Sequence, residues 1–192
     1  MGKRGLETAT FEVIMAAYLL LIVAVLSRVA PHPGWLNFTA VGGALLYFGA
    51  RRSWREMLAP LAVLMATDYF LTTQVYSYSF RWQGYVTTWA WYLAVMALGQ
   101  ILLHARAGFV RVGAGAVLGP TSFFVVSNYA VWAGSEMYPH TLSGLAACFA
   151  AAVPFYRNDL LSTALVAGCA FGIPVLVRRI AAGRAMATVA SR

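Results

Sequence analysis

Charge is scarce in this chain. Only 10% of its 192 residues are Asp, Glu, Lys or Arg, where soluble domains carry about 25%. So few charges cannot cover a water-facing surface, and a lipid bilayer is the natural solvent and partner. Acidic residues are scarcer still, 6 against 14 Lys and Arg. The net charge of +8 raises the question of nucleic acid. The basic residues, however, sit in short clusters between apolar runs, as the positive-inside rule expects, and no basic face with interleaved aromatics occurs. No nucleic-acid partner is expected. Cysteine is limited to Cys148 and Cys169, both within apolar stretches, where they read as small buried hydrophobes rather than a disulfide or metal pair. The histidines His32, His104 and His140 lack H-x-x-x-H or H-E-x-x-H spacing, so no metal is expected. His104, at the end of an apolar run, is expected to meet the last carbonyls of its own helix. G-x-S-x-G, a P-loop and carboxylate pairs at helical spacing are all missing, which argues against an enzyme, a cofactor and an ATPase within this chain.

Long apolar runs are what the chain has in abundance. The first, 11–30, follows Lys3 and Arg4. It is longer than a signal-peptide core and no A-x-A-like site follows, so it reads as a retained span. Pro31, His32, Pro33 and Gly34 break it, and Trp35, Asn37 and Thr39 come just before a short second segment, 37–50. There Gly42, Gly43 and Gly49 predict close helix packing. A loop with Arg51, Arg52 and Arg55 leads to segment 57–74, which holds Asp68. After an aromatic and polar loop, Tyr76 to Gly84, comes segment 85–104. Segment 112–132 carries Gly115-x-x-x-Gly119, and two further pieces, 141–155 and 160–177, flank Tyr156-Arg157-Asn158-Asp159.

Charge bias decides how the last two pieces count. With the N-terminus in the cytoplasm and only 160–177 spanning, every basic residue except Arg28, Arg81 and Arg157 lies inside. Fifteen residues at 141–155 rise about 22 Å, short of a hydrocarbon core of about 30 Å. The expected architecture is therefore a single-domain, all-α integral membrane protein over 1–192. It has six transmembrane helices, a short outer-side helix at 141–155, and both termini in the cytoplasm. Polar and aromatic residues then collect on the outer side and arginines on the inner.

Asp68 is the acidic residue set well inside an apolar run, and an intramembrane carboxylate is a site candidate by default. Its plainer reading is an ion pair with Arg28, Arg81 or Arg157 at a helix end. Asn37, with Thr39, is read first as an N-cap of the second helix and second as a ligand contact. Asn128 is read as a ligand contact or as interhelical glue. The aromatics Trp82, Tyr85, Trp89, Trp91, Tyr92 and Trp132 read as an interfacial belt, and the run Tyr76–Tyr85 as belt, packing or a cover over a ring-shaped ligand.

Several short patterns carry a resemblance. Pro31-His32-Pro33, Asn37-Phe38-Thr39, Phe48-Gly49, Ser127-Asn128 with Val131-Trp132, Tyr138-Pro139, Pro154-Phe155 and Arg157-Asn158 resemble an uncharacterised family of small bacterial membrane proteins. In size, helix count and loop placement the chain looks like the substrate-binding S-components of energy-coupling factor vitamin transporters, nearest to the solitary cobalamin-transporter group. That likeness implies the bacterial inner membrane and an outward-facing pocket closed by the loops after helices one, three and five. It also implies a small vitamin-like solute, bound by Asn37, Asp68, Asn128, Trp132 and Arg157, and a partner ATPase module. The chain departs from these groups in having no cysteine before Cys148 and no Ala-x-x-x-Ala in its first helix, where Ala16, Ala17 and Ala24 stand instead. The other expectation is a structural or accessory subunit of a larger membrane complex.

Overall fold

The computed structural model describes residues 3–30, 34 and 36–190. Pro31, His32, Pro33 and Trp35, part of the turn after the first apolar run, lie outside the described residues. The chain folds into α1 (Lys3–Val29), α2 (Val41–Arg51), α3 (Leu58–Phe70), α4 (Val86–Leu103), α5 (Phe109–Gly134) and α6 (Leu142–Ala190). A 3-10 turn, Trp54–Met57, leads into α3, and a π turn, Leu71–Val75, prolongs it. No strand occurs among the described residues.

α2 sits at the centre. Residues 41–50 are buried on every side, with α4, α6, α1 and α5 packed around them. Small residues make this possible. A Cβ at Gly49 would land on the carbonyl of Met96, and one at Gly99 on the carbonyl of Leu46, so α2 and α4 touch backbone to backbone. Gly42 and Gly43 leave room for the side chains of Thr163 and Val166 of α6. Gly115 of the α5 Gly-x-x-x-Gly pattern lies against Leu46, and Gly119 against Val95.

Five helical stretches are long and apolar enough to cross a membrane: Phe11–Val29, Trp54–Val75, Trp82–Leu103, Phe109–Gly134 and Leu142–Arg184. The expected six spans and outer-side helix are corrected at two places. With 11 residues, α2 rises only about 16 Å and is too short to span. The pieces 141–155 and 160–177 are one helix of 49 residues. Tyr156-Arg157-Asn158-Asp159 contains neither Gly nor Pro, and its polar groups do not interrupt the helix. Asp159 and Tyr156 instead join the inward row of α6, with Cys148, Ala152 and Thr163 at helical spacing. Pro154 and Pro174 both lie within the helix. Beyond Phe171, residues 172–184 are exposed all round.

The bundle has two unlike ends. At one, Arg52 pairs with Glu56, which also accepts bonds from Ser53 at 2.8 Å and Tyr18 at 3.3 Å. Arg51 lies over the rings of Phe171 and Tyr47, at 5.3 and 5.8 Å. His104 Nδ1 stands 3.3 Å from the carbonyl of Ala50. That carbonyl belongs to the end of α2 rather than to His104's own helix, because α2 ends beside α4. The other end gathers the connections after α1, α3 and α5 and holds three adjoining cavities.

Candidate functional site

Asp68 lies on the last turn of α3 and is 1% exposed. Its Oδ1 receives Arg28 Nη2, from the last turn of α1, at 2.6 Å. Its Oδ2 accepts Trp89 Nε1 at 2.9 Å and, more weakly, the Tyr92 hydroxyl at 3.5 Å. Arg28 Nη1 donates to the Tyr92 hydroxyl at 2.9 Å. Thr72 donates to the Asp68 carbonyl at 2.7 Å and meets the Tyr85 hydroxyl. Asp68 is thus fully buried and Arg28 half-buried, and both carboxylate oxygens are bonded, the condition under which a buried ion pair persists. Phe80, from the aromatic run, stacks on Tyr85 at 5.2 Å and on Trp89 at 6.3 Å. These rings cover the protein's own Trp89 and Tyr85.

Three adjoining cavities open beside this corner. The first, about 260 Å³, lies between α5 and α6 and is walled by Phe123, Phe124, Asn128, Cys148, Tyr156 and Asp159, with Asn37 at its rim. The second, about 200 Å³, is bordered by Arg28, Asp68, Trp91, Tyr92, Phe123 and Asp159. The third, also about 200 Å³, lies toward Thr72, Tyr76 and Tyr85. Asn37 borders all three, and Phe123 and Asp159 are common to the first two. Aromatic contacts stiffen the walls: Phe124 stacks on Tyr156 at 4.7 Å, and Trp91 meets Phe123 at 4.7 Å. The Tyr156 hydroxyl is 2.9 Å from that of Thr121. An apolar, ring-lined cavity with a few polar groups at its edge is the usual form of a small-molecule site.

With the architecture and these cavities in view, comparison with known proteins gives one match. The chain belongs to DUF6580, a family of unknown function. The match covers residues 8–185, which include every cavity-lining residue. Nothing matches among curated proteins or among solved structures.

In this DUF6580 chain the residues singled out from sequence fall into two groups. Asp68, Asn128 and Asn37 border the cavities. Asp68 takes Arg28 as its partner, one of the three arginines expected. Asn128 Nδ2 is turned to the Phe124 carbonyl of its own helix at 2.7 Å. Asn37 is not the cap of α2. The cap position is Ala40, with no side-chain bond, and Asn37 stands three residues earlier in a left-handed turn, φ 60°. Asn tolerates that conformation better than most residues. Trp132 and Arg157 border none of the cavities. Trp132 Nε1 donates to the Pro139 carbonyl at 2.9 Å and its ring meets His140 edge-on, so it pins the connection after α5. Arg157 is exposed, about 200° around the helix from Asp159.

The two cysteines also part company, Cys148 buried at the cavity wall and Cys169 exposed. No cluster of three His, Cys, Asp or Glu occurs among the described residues. Sequence reasoning passed over Asp159, Phe123, Phe124 and Tyr156. The signal was present in the spacing 148, 152, 156, 159, 163, one helical face, but it is hidden once 156–159 is taken for a loop.

Proposed function

We propose that this protein binds a small solute in the cavity between α5 and α6 and moves it across the bacterial inner membrane in the manner of an S-component. In this reading the arginine-rich end faces the cytoplasm with both termini, as the positive-inside rule favours. The cavities then open toward the outer side. α2 completes the six-helix set. Too short to cross a bilayer core as helix alone, it still carries the chain from the cavity end at Val41 to the arginine end at Arg51 and Arg52. The chain thus passes between the two ends six times, and both termini share one side. Passage of the solute requires reorientation of the bundle or a partner ATPase module, since the chain carries no phosphate-binding loop. A vitamin-like molecule suits the cavity's mixture of rings and a few polar groups. The observation that carries the reading is the aromatic cavity bordered by Asn37, Asn128 and Asp159.

The test is thermal unfolding of the purified protein in mild detergent against a panel of water-soluble vitamins and their precursors. At least one member is expected to raise the melting temperature, and Ala152→Phe, which fills the cavity, is expected to abolish that rise. A panel without effect, or a rise indifferent to Ala152→Phe, counts against the site.

A second reading, an accessory subunit of a larger membrane complex, draws on the far part of α6. Residues 172–184 leave the bundle and expose Ile173, Leu176, Val177 and Ile180. Recovery of a stoichiometric partner protein in mild detergent, without bound solute, would favour it.

A further inference from the structure

The second carboxylate of the site end has no cation partner among the described residues. Asp159 is 8% exposed and borders both the first and second cavities. Among the described residues its side chain accepts one bond, from the Thr163 hydroxyl at a long 3.4 Å. Arg28 borders the second cavity with Asp159 but is engaged by Asp68 at 2.6 Å and by the Tyr92 hydroxyl at 2.9 Å, and Arg157, on the same helix as Asp159, is turned outward and exposed. Among the described residues no Lys, Arg or His lines the first cavity. The start of α2, at Val41, borders the second cavity and offers only a partial positive charge there. Arg28 and Asp68 cancel, so among the described residues that line the two cavities the formal charge left is that of Asp159.

The surroundings of Asp159 also select among cations. A hard metal ion takes about six or more oxygen ligands, with carboxylates prominent among them, and among the described residues of this wall Asp159 is the sole carboxylate, set among several aromatic rings. Phe123, Phe124 and Tyr156 present aromatic surface in the cavity that Asp159 borders. Ring faces attract alkylammonium groups electrostatically, and more strongly where water is excluded.

We infer that the solute taken by this cavity is an organic monocation: an amine or quaternary ammonium whose charged group lies at Asp159 and whose apolar part fills the space between Phe123, Phe124 and Tyr156. This rests on the cavity being a solute site, and it names the charge class of that solute. It also assigns Asp159 a binding role and leaves Asp68 to hold Arg28.

Cys148 lines the same cavity and supplies a native reporter, once exposed Cys169 is changed to Ala. The Cys169→Ala protein in detergent is treated with three methanethiosulfonates of similar size. One carries a trimethylammonium group, one is neutral and one carries a sulfonate. Each rate is divided by the same reagent's rate with a free thiol in solution. The cationic reagent is expected to modify Cys148 about tenfold or more faster than the anionic one, the scale on which a charged cleft concentrates counter-ions. Asp159→Asn is expected to bring the two rates together while leaving the neutral rate unchanged, which shows the cavity intact. Equal cationic and anionic rates in the Cys169→Ala protein, with the neutral reagent reacting, overturn the charge assignment and leave the cavity as a solute site. A preference that survives Asp159→Asn overturns the role of Asp159. Failure of the neutral reagent to reach Cys148 in the folded protein overturns both the assignment and the solute site beneath it.

Discussion

Asp68 and Asp159 border the same cavity, and their surroundings differ in kind. Asp68 is met by a guanidinium, an indole N–H and a phenol, with a ring stack outside them. Among the described residues Asp159 is met by one distant hydroxyl. A carboxylate closed off by its own protein serves to hold helices together. One left open toward a cavity is available to something that enters. The comparison separates a corner closed on itself, joining α1, α3 and α4, from an open corner between α5 and α6, where the proposed solute would bind.

The sharpest way to break this contrast is Asp68→Ala. It strands Arg28 in a buried site, and removing one partner of such a pair costs about 3–5 kcal/mol. Denaturant titration in mixed micelles is expected to show that loss. Replacing both partners, Arg28→Met with Asp68→Leu, should recover most of it. Trp89→Phe comes next. It keeps a ring for Phe80 to stack on but removes the indole N–H from a charged acceptor, worth about 1.5–3 kcal/mol, read by the same titration. Asp159→Asn is expected to cost less than about 1 kcal/mol, because a single long neutral-donor bond is weakened. If its loss equals that of Asp68→Ala, the two corners are not different in kind. Arg157→Ala should leave the unfolding midpoint and any solute-induced shift unchanged, since Arg157 is exposed and borders no cavity. A lost solute response in that variant would redraw the site.

Asp68 was legible from sequence because a charge within an apolar run stands out and because Arg28 was among its natural partners. Asp159 was not, although it too is buried. It sits among Arg157 and Asn158, and three polar residues in a row read as a connection between helices. Folded as helix, the same residues separate by about 100° each, so Arg157 turns outward and Asp159 inward. The glycines of α2 announced close packing. They could not announce that α2 is too short to span and that four helices close around it. Asn37 shows the reverse error: its residue type suits a cap, but the helix begins four residues later, and its left-handed backbone uses a different property of asparagine.

By itself the sequence determined the solvent of this protein, its helical class and the end at which its arginines collect. Those follow from composition and the order of apolar runs, which act locally through hydropathy. The tertiary structure decided which carboxylate is paired and which is open. That outcome depends on whether α1 brings a guanidinium to α3 and whether α5 and α6 leave a gap before Asp159. Pairing across 40 positions, as between Arg28 and Asp68, is set by how the helices pack around α2, and no local pattern encodes it.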